Sequence, residues 1–185
     1  MEPCFQTVPG IWSCKPRVDL ALNNKGPACE LRRCTETAKH KPMKYGLAVD
    51  IGNTNTVFGL YEESSAEILK SWRTVTHRDR TSDELGIFLK GFLQSGGVAV
   101  QDIQHFIYSS VVPSFNPIVE KMVRDYYNTE PLRVHYELPL PMRFVYPRPY
   151  EIGPDRIVNA IAASKIYGGD LIVIDLGTAT TFCLV

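Results

Sequence analysis

The stretch Ala48-Val49-Asp50-Ile51-Gly52-Asn53-Thr54-Asn55-Thr56 (residues 48–56) decides the fold of this chain. Leu47, Ala48 and Val49, just after Gly46, form a short apolar run that predicts a buried strand. The run ends in a carboxylate, a glycine and four small hydroxyl or amide residues. A second apolar run, Val57-Phe58-Gly59-Leu60-Tyr61, resumes at once, so the polar piece predicts a hairpin turn between two strands. Asp50, at a strand end, is suited to a hydrated metal ion. Gly52 lets backbone approach a ligand closely, and Asn53 to Thr56 offer N–H and O–H donors to phosphate oxygens. An ordinary Gly-Asn hairpin would need neither Asp50 nor two threonines.

Around that stretch the composition is that of a soluble globular protein: 185 residues, 44% hydrophobic and 22% charged. A chain of this length buries a sizeable core in one large domain or two small ones. The formal net charge of zero argues against a general nucleic-acid or membrane-surface binder. No apolar run approaches the roughly 20 residues that span a bilayer, so a cytoplasmic protein is expected. The charge is unevenly spread. Residues 1–44 carry eight Lys/Arg against four Asp/Glu, and residues 45–185 carry twelve against sixteen. The basic front end also holds Cys4, Cys14, Cys29 and Cys34 without a C-x-x-C pair, which argues against zinc, and it lacks an apolar signal-peptide core. Residues 1–43 are therefore read as a disordered extension or a mis-assigned start, with Met43 as the true start.

Further along, residues 66–73 predict a third antiparallel strand. Thr81-Ser82-Asp83-Glu84 is a capping box opening a helix with Leu85, Phe88, Leu89, Phe92 and Leu93 on one face and a stop at Gly96-Gly97. Residues 102–110 predict a strand, Ser114 is expected to cap a helix to about Tyr127, and Leu132 to Tyr136 predict a short strand. Pro139, Pro141, Pro147 and Pro149 mark an extended connection and the expected domain boundary. Pro154 then opens an alanine-rich helix ending at Gly168-Gly169, and Leu171 to Ile174 predict a buried strand. The four histidines (His40, His77, His105, His135) are scattered, which suggests neither a metal triad nor a Ser-His-Asp site, and Cys183 reads as core.

That last predicted strand ends in Asp175-Leu176-Gly177-Thr178-Ala179-Thr180-Thr181, an echo of Asp50 to Thr56: apolar, Asp, apolar, Gly, then small polar residues opening a hairpin. Two such turns suggest a duplicated unit that clamps one polyphosphate from both sides, with the aspartates handling the accompanying cations. The pairing resembles the nucleotide-binding signature of the superfamily of acetate kinase, sugar kinases, heat-shock chaperone ATPases and actin. Within it, four motifs resemble type III pantothenate kinase in order and spacing: Asp50 to Thr56, Ser109-Ser110-Val111-Val112-Pro113, Glu151-Ile152-Gly153-Pro154-Asp155-Arg156-Ile157-Val158-Asn159-Ala160, and Asp175 to Phe182. One departure is Pro154, where the family usually has alanine.

The resemblance implies an α/β fold of duplicated actin-like (ribonuclease H-like) domains with mixed sheets. Residues 44–150 would form the first domain and 151–185 the start of a second, truncated at its C-terminus, since the family continues past this turn. It implies ATP-dependent phosphorylation of pantothenate to 4′-phosphopantothenate, the first step of coenzyme A synthesis, by a homodimer. Asp50, Ile51, Gly52, Asn53, Thr54, Asn55, Thr56, Val57 and Thr178 would bind ATP, with Asp50 organising Mg²⁺. Asp155 would be the proton acceptor, and Tyr146, Gly153, Pro154, Asp155 and Arg156 would contact pantothenate. Asp175 would hold a monovalent cation, K⁺ or NH₄⁺. A non-catalytic nucleotide-binding regulator is the alternative, but it has no need of a base at Asp155.

Overall fold

The computed structural model describes residues 44–177 and 179–185. The readings of Cys4, Cys14, Cys29, Cys34, His40, Met43 and Thr178 lie outside the described residues.

Strands β1 (Tyr45–Ile51) and β2 (Asn55–Glu62) form the expected hairpin, antiparallel with Asp50 opposite Val57. Strand β3 (Ile68–Val75) pairs antiparallel with β2. Helix α1 (Ser82–Ser95) then leads to β4 (Ile103–Ser110), and helix α2 (Asn116–Tyr127) to β5 (Leu132–Arg133). Strand β4 lies parallel to β1 and β5 parallel to β4, which gives one mixed sheet in the order β3-β2-β1-β4-β5. Parallel neighbours require such helical crossovers.

The capping box forms as read: Glu84 N donates to Thr81 Oγ1 at 3.2 Å and Thr81 N to Glu84 Oε2 at 2.7 Å. Two local readings are corrected. Ser114 does not cap α2, because residues 113–115 wind into a 3-10 turn in which Phe115 N donates to Val112 O at 3.0 Å. Pro117, in the first turn of α2, has no N–H to be capped. Strand β5 also stops at Arg133: Val134 N makes one more bond, to Tyr108 O at 2.8 Å, and the chain then turns at His135 to Leu138.

Alternation along β1 decides what faces the helices. Tyr45, Leu47, Val49 and Ile51 are buried with Phe58 and Leu60 of β2 and Phe106 and Tyr108 of β4. Against them pack Leu85, Leu89 and Leu93 of α1 and Val119, Met122 and Val123 of α2. Asp50, one residue out of step, lies on the opposite face. Leu89 has no exposed surface at all. Leu89→Ala should therefore cost about 2–5 kcal/mol of unfolding free energy, read from urea denaturation, because the rigid sheet behind it prevents collapse into the cavity.

On that opposite side, helix α3 (Pro154–Tyr167) packs against β4 and buries Ile157 and Ala160. A second antiparallel pair follows, β6 (Ile172–Leu176) and β7 (Thr180–Leu184), with Asp175 opposite Thr181. Here the reading of a buried strand fails. Ile172 and Ile174 are 68% and 55% exposed, because β7 is the one sheet neighbour of β6 among the described residues. Cys183 is half-buried rather than core. Among the described residues no helix is long and apolar enough to cross a membrane.

Candidate active site

The first turn is tied from within. Gly52 N donates to Asn55 O at 2.9 Å, and a Cβ on Gly52 would sit 3.0 Å from that same oxygen, so only glycine fits without a shift. Thr76, just past β3, donates its hydroxyl to Gly52 O at 2.8 Å and its N–H to Thr54 O at 2.8 Å. Thr56 and Thr76 hydroxyls lie 2.9 Å apart. Since the single Thr76 proton is committed to Gly52, Thr56 donates to Thr76. Both threonines are buried. The Thr56 hydroxyl, read as a phosphate donor, is thus a strut of the turn, while Asn53, Thr54 and Asn55 are exposed. Ile51 is buried in the core and leaves only its backbone for a ligand. Thr76→Val should remove the hydroxyl bond to Gly52 O and strand the Thr56 proton, leaving the backbone bond to Thr54 O in place. We expect a loss of about 1–3 kcal/mol in thermal unfolding, restored by Thr76→Ser.

Register supplies the partner of Asp50. The parallel pairing sets Ser109 of β4 beside Asp50, and Ser109 Oγ donates to Asp50 Oδ1 at 3.0 Å. Asp50 keeps solvent access, yet desolvation of its carboxylate pushes its pKa above the ordinary aspartate range. The Ser109 bond lowers it, and the negative charges of Asp155 and Asp175 raise it further. The charges of Asp155 and Asp175, from two other motifs, are thus felt at Asp50.

Asp155 stands in the first turn of α3, where Gly153 is the N-cap without a side-chain bond. The Asp155 carboxylate accepts from Arg156 N at 2.8 Å. A Cβ on Gly153 would collide with Asp155 Oδ1 and would also meet Val111 Cγ1 at 3.8 Å, just beyond the end of β4. The glycine is thus what leaves Asp155 its position. Pro154 is the first residue of the helix, so its missing N–H costs nothing.

The remaining sequence-predicted residues are placed less directly. Arg156 reaches across to β7, donating from Nη2 to Phe182 O and from Nε to Cys183 Sγ, each at 3.1 Å. It pairs with no carboxylate among the described residues. Tyr146 is half-exposed on the connection before α3, with its hydroxyl 3.5 Å from Glu151 Oε2. Three side chains went unassigned in the sequence. Ser109 sat inside a recognised motif without a role, and Thr76 and Arg78, whose Nη2 donates to Asn53 Oδ1 at 2.9 Å, lay in the polar, basic stretch 74–80 that follows the predicted third strand.

The donor chemistry can be tested against the cations that the resemblance implies. Among the described residues no three His, Cys, Asp or Glu side chains form a metal cage. Mg²⁺ in nucleotide sites needs none, since one or two carboxylates and the phosphates hold it. Opposite Asp175, the Thr181 hydroxyl is buried with no hydrogen-bond partner among the described residues. A buried orphan oxygen beside a carboxylate suits a cation that takes oxygen ligands.

A family profile described as type III pantothenate kinase matches residues 46–185. Proteins named type III pantothenate kinase from Listeria welshimeri serovar 6b and Listeria monocytogenes serotype 4a are each 46% identical over 139 residues, covering 75% of this chain and 53% of theirs. The chain thus spans about half the length of the relatives it matches. Among solved structures, a reductive activator for a corrinoid, iron-sulfur protein superposes with a TM-score of 0.56 at 13% identity, over 78% of this chain and 29% of that one. At that identity the likeness concerns the fold alone. With a family profile matching residues 46–185 and curated relatives 46% identical, the chain belongs to the type III pantothenate kinase family.

Proposed function

We propose that this chain carries the nucleotide and substrate elements of an ATP-dependent pantothenate kinase, which forms 4′-phosphopantothenate at the start of coenzyme A synthesis. The observation that carries the reading is the β1–β2 turn itself, closed by Gly52 N on Asn55 O with Asp50 held by Ser109 Oγ, while the negative charges of Asp155 and Asp175 are felt at Asp50 from α3 and β6. The repulsion at Asp50 is relieved by cations and a cation-bound polyphosphate.

Phosphoryl transfer asks mainly for positioning and charge neutralisation. Asp50, Ile51, Gly52, Asn53, Thr54, Asn55, Thr56 and Val57 would seat the ATP phosphates, with Thr178 on the opposite turn. Asp155 would take the proton of the pantothenate hydroxyl as its oxygen bonds to the γ-phosphorus and the bond to the departing ADP breaks. Gly153, Pro154, Arg156 and Tyr146 would line the pantothenate side. Mg²⁺, held through Asp50, and K⁺ or NH₄⁺, held through Asp175, would neutralise phosphate charge. Residues 44–150 and 151–185 belong, in this reading, to two actin-like domains of a duplicated fold in a cytoplasmic homodimer, and the two Asp-x-Gly hairpins support the duplication.

The test is to express the chain with whatever coding sequence follows Val185 in its frame and to assay ATP- and K⁺-dependent phosphorylation of pantothenate. Transfer of the γ-phosphate to pantothenate is the expected result, and ATP turnover indifferent to pantothenate sinks the reading.

A further inference from the structure

We propose that Arg78 is a phosphate-contacting residue of the nucleotide site, held over the first turn by Asn53; this rests on the reading of that turn as an ATP site. The segment that follows β3 is bound to the turn at three points. Thr76 makes two bonds to its backbone, at Gly52 O and Thr54 O, and Arg78 Nη2 donates to Asn53 Oδ1 at 2.9 Å. The chain folds tightly around Arg78, with Arg80 N donating to His77 O at 3.2 Å. Arg78 is therefore carried on a short loop whose root is buried at Thr76.

The choice of partner is what separates Arg78 from an ordinary solvated arginine. Asp79, Asp83 and Glu84 lie within a few residues, yet Arg78 forms no ion pair among the described residues and engages a neutral amide instead. A guanidinium has five N–H donors in a fixed fork, and one bond to Asn53 leaves most of them for another acceptor. The same fork matches phosphate oxygens bidentately, and a charge-assisted pair of that kind is about twice as strong as a neutral one. The neighbouring Arg80 is differently employed, with its guanidinium 4.5 Å above the Phe88 ring. Asn53 would thus have two duties: its backbone serves the turn and its side chain aims Arg78.

Binding of Mg·ATP and of adenosine to the whole chain, measured by calorimetry for wild type, Arg78→Gln and Arg78→Lys, tests the assignment. The expected result is a roughly 10- to 100-fold weaker ATP affinity for Arg78→Gln, as for loss of one charge-assisted pair. Arg78→Lys should recover part of that loss, and adenosine affinity should stay within about twofold for all three. Wild-type ATP binding that Arg78→Gln leaves unchanged overturns the role of Arg78 while the nucleotide reading stands. Equal losses for ATP and adenosine also overturn it, since they mark a structural defect. A wild-type chain that binds no ATP removes both readings together.

Discussion

Asp155→Asn is expected to lower kcat for pantothenate phosphorylation by about two to four orders of magnitude, with ATP affinity and thermal stability nearly unchanged. The exchange is close to isosteric. The amide oxygen of asparagine still accepts from Arg156 N, the 2.8 Å bond that fixes the side chain in the wild type. What is lost is a group able to receive the substrate proton. The competing role for Asp155 is that of a first-turn carboxylate on α3 favoured by the helix dipole, worth about 0.3–1 kcal/mol. That role predicts the reverse pattern, a small drop in melting temperature with full activity. Rate and melting measurements on one variant therefore separate the two. An Asp155→Asn protein that turns over at the wild-type rate ends the assignment. Gly153 sharpens it, because any side chain there collides with the Asp155 carboxylate. A position serving only helix capping would tolerate that shift.

The parts of this site that the sequence made legible are those written in local chemistry. The β1–β2 turn announced itself through Asp50, Gly52 and the run of small donors, and α1 through Thr81 and Glu84, because in each case the interacting groups are a few residues apart. Helix α3 could be read from Pro154 and from the glycines after Tyr167 for the same reason. What could not be read depends on pairing between distant segments. Ser109 reaches Asp50 only through the parallel register of β4 with β1, across 59 positions of chain. Thr76 and Arg78 reach Gly52 and Asn53 because β3 folds back along β2. Apolar β6 was read as buried because its composition is that of a central strand, whereas exposure is set by which neighbours it finds. Cys183 was misjudged likewise: an apolar strand context said nothing of the guanidinium that crosses to it. Hydroxyls were the hardest residues, since Thr54 and Thr56 look alike in sequence and only burial turns one inward.

Asp50→Asn should produce opposite changes in function and in the stability of the metal-free chain. Asp50 carries a raised pKa, first because its carboxylate is desolvated and then because Asp155 and Asp175 repel its charge, with the Ser109 bond only partly compensating. A carboxyl raised on folding contributes stability that is complete below its unfolded value, near 3.8, and is lost as pH rises through its higher folded value. At pH 7 the ionised Asp50 is therefore a cost to the metal-free fold. Asparagine removes that charge while keeping an oxygen for the Ser109 hydroxyl, so the metal-free variant should melt above wild type at pH 7. The gap should close as the pH falls below the ordinary aspartate range, where Asp50 is protonated in both states. Mg·ATP reverses the order. Wild type gains stability from ligand that binds only the folded state, and the variant, lacking the charge that organises the cation, gains little. Loss of one such electrostatic element should cost about 10²- to 10³-fold in turnover. Melting curves at pH 7 and pH 3.5, with and without Mg·ATP, test both halves. A variant less stable than wild type in the absence of ligand would show that Asp50 serves the fold, and one equally stabilised by Mg·ATP would show that it does not serve the nucleotide.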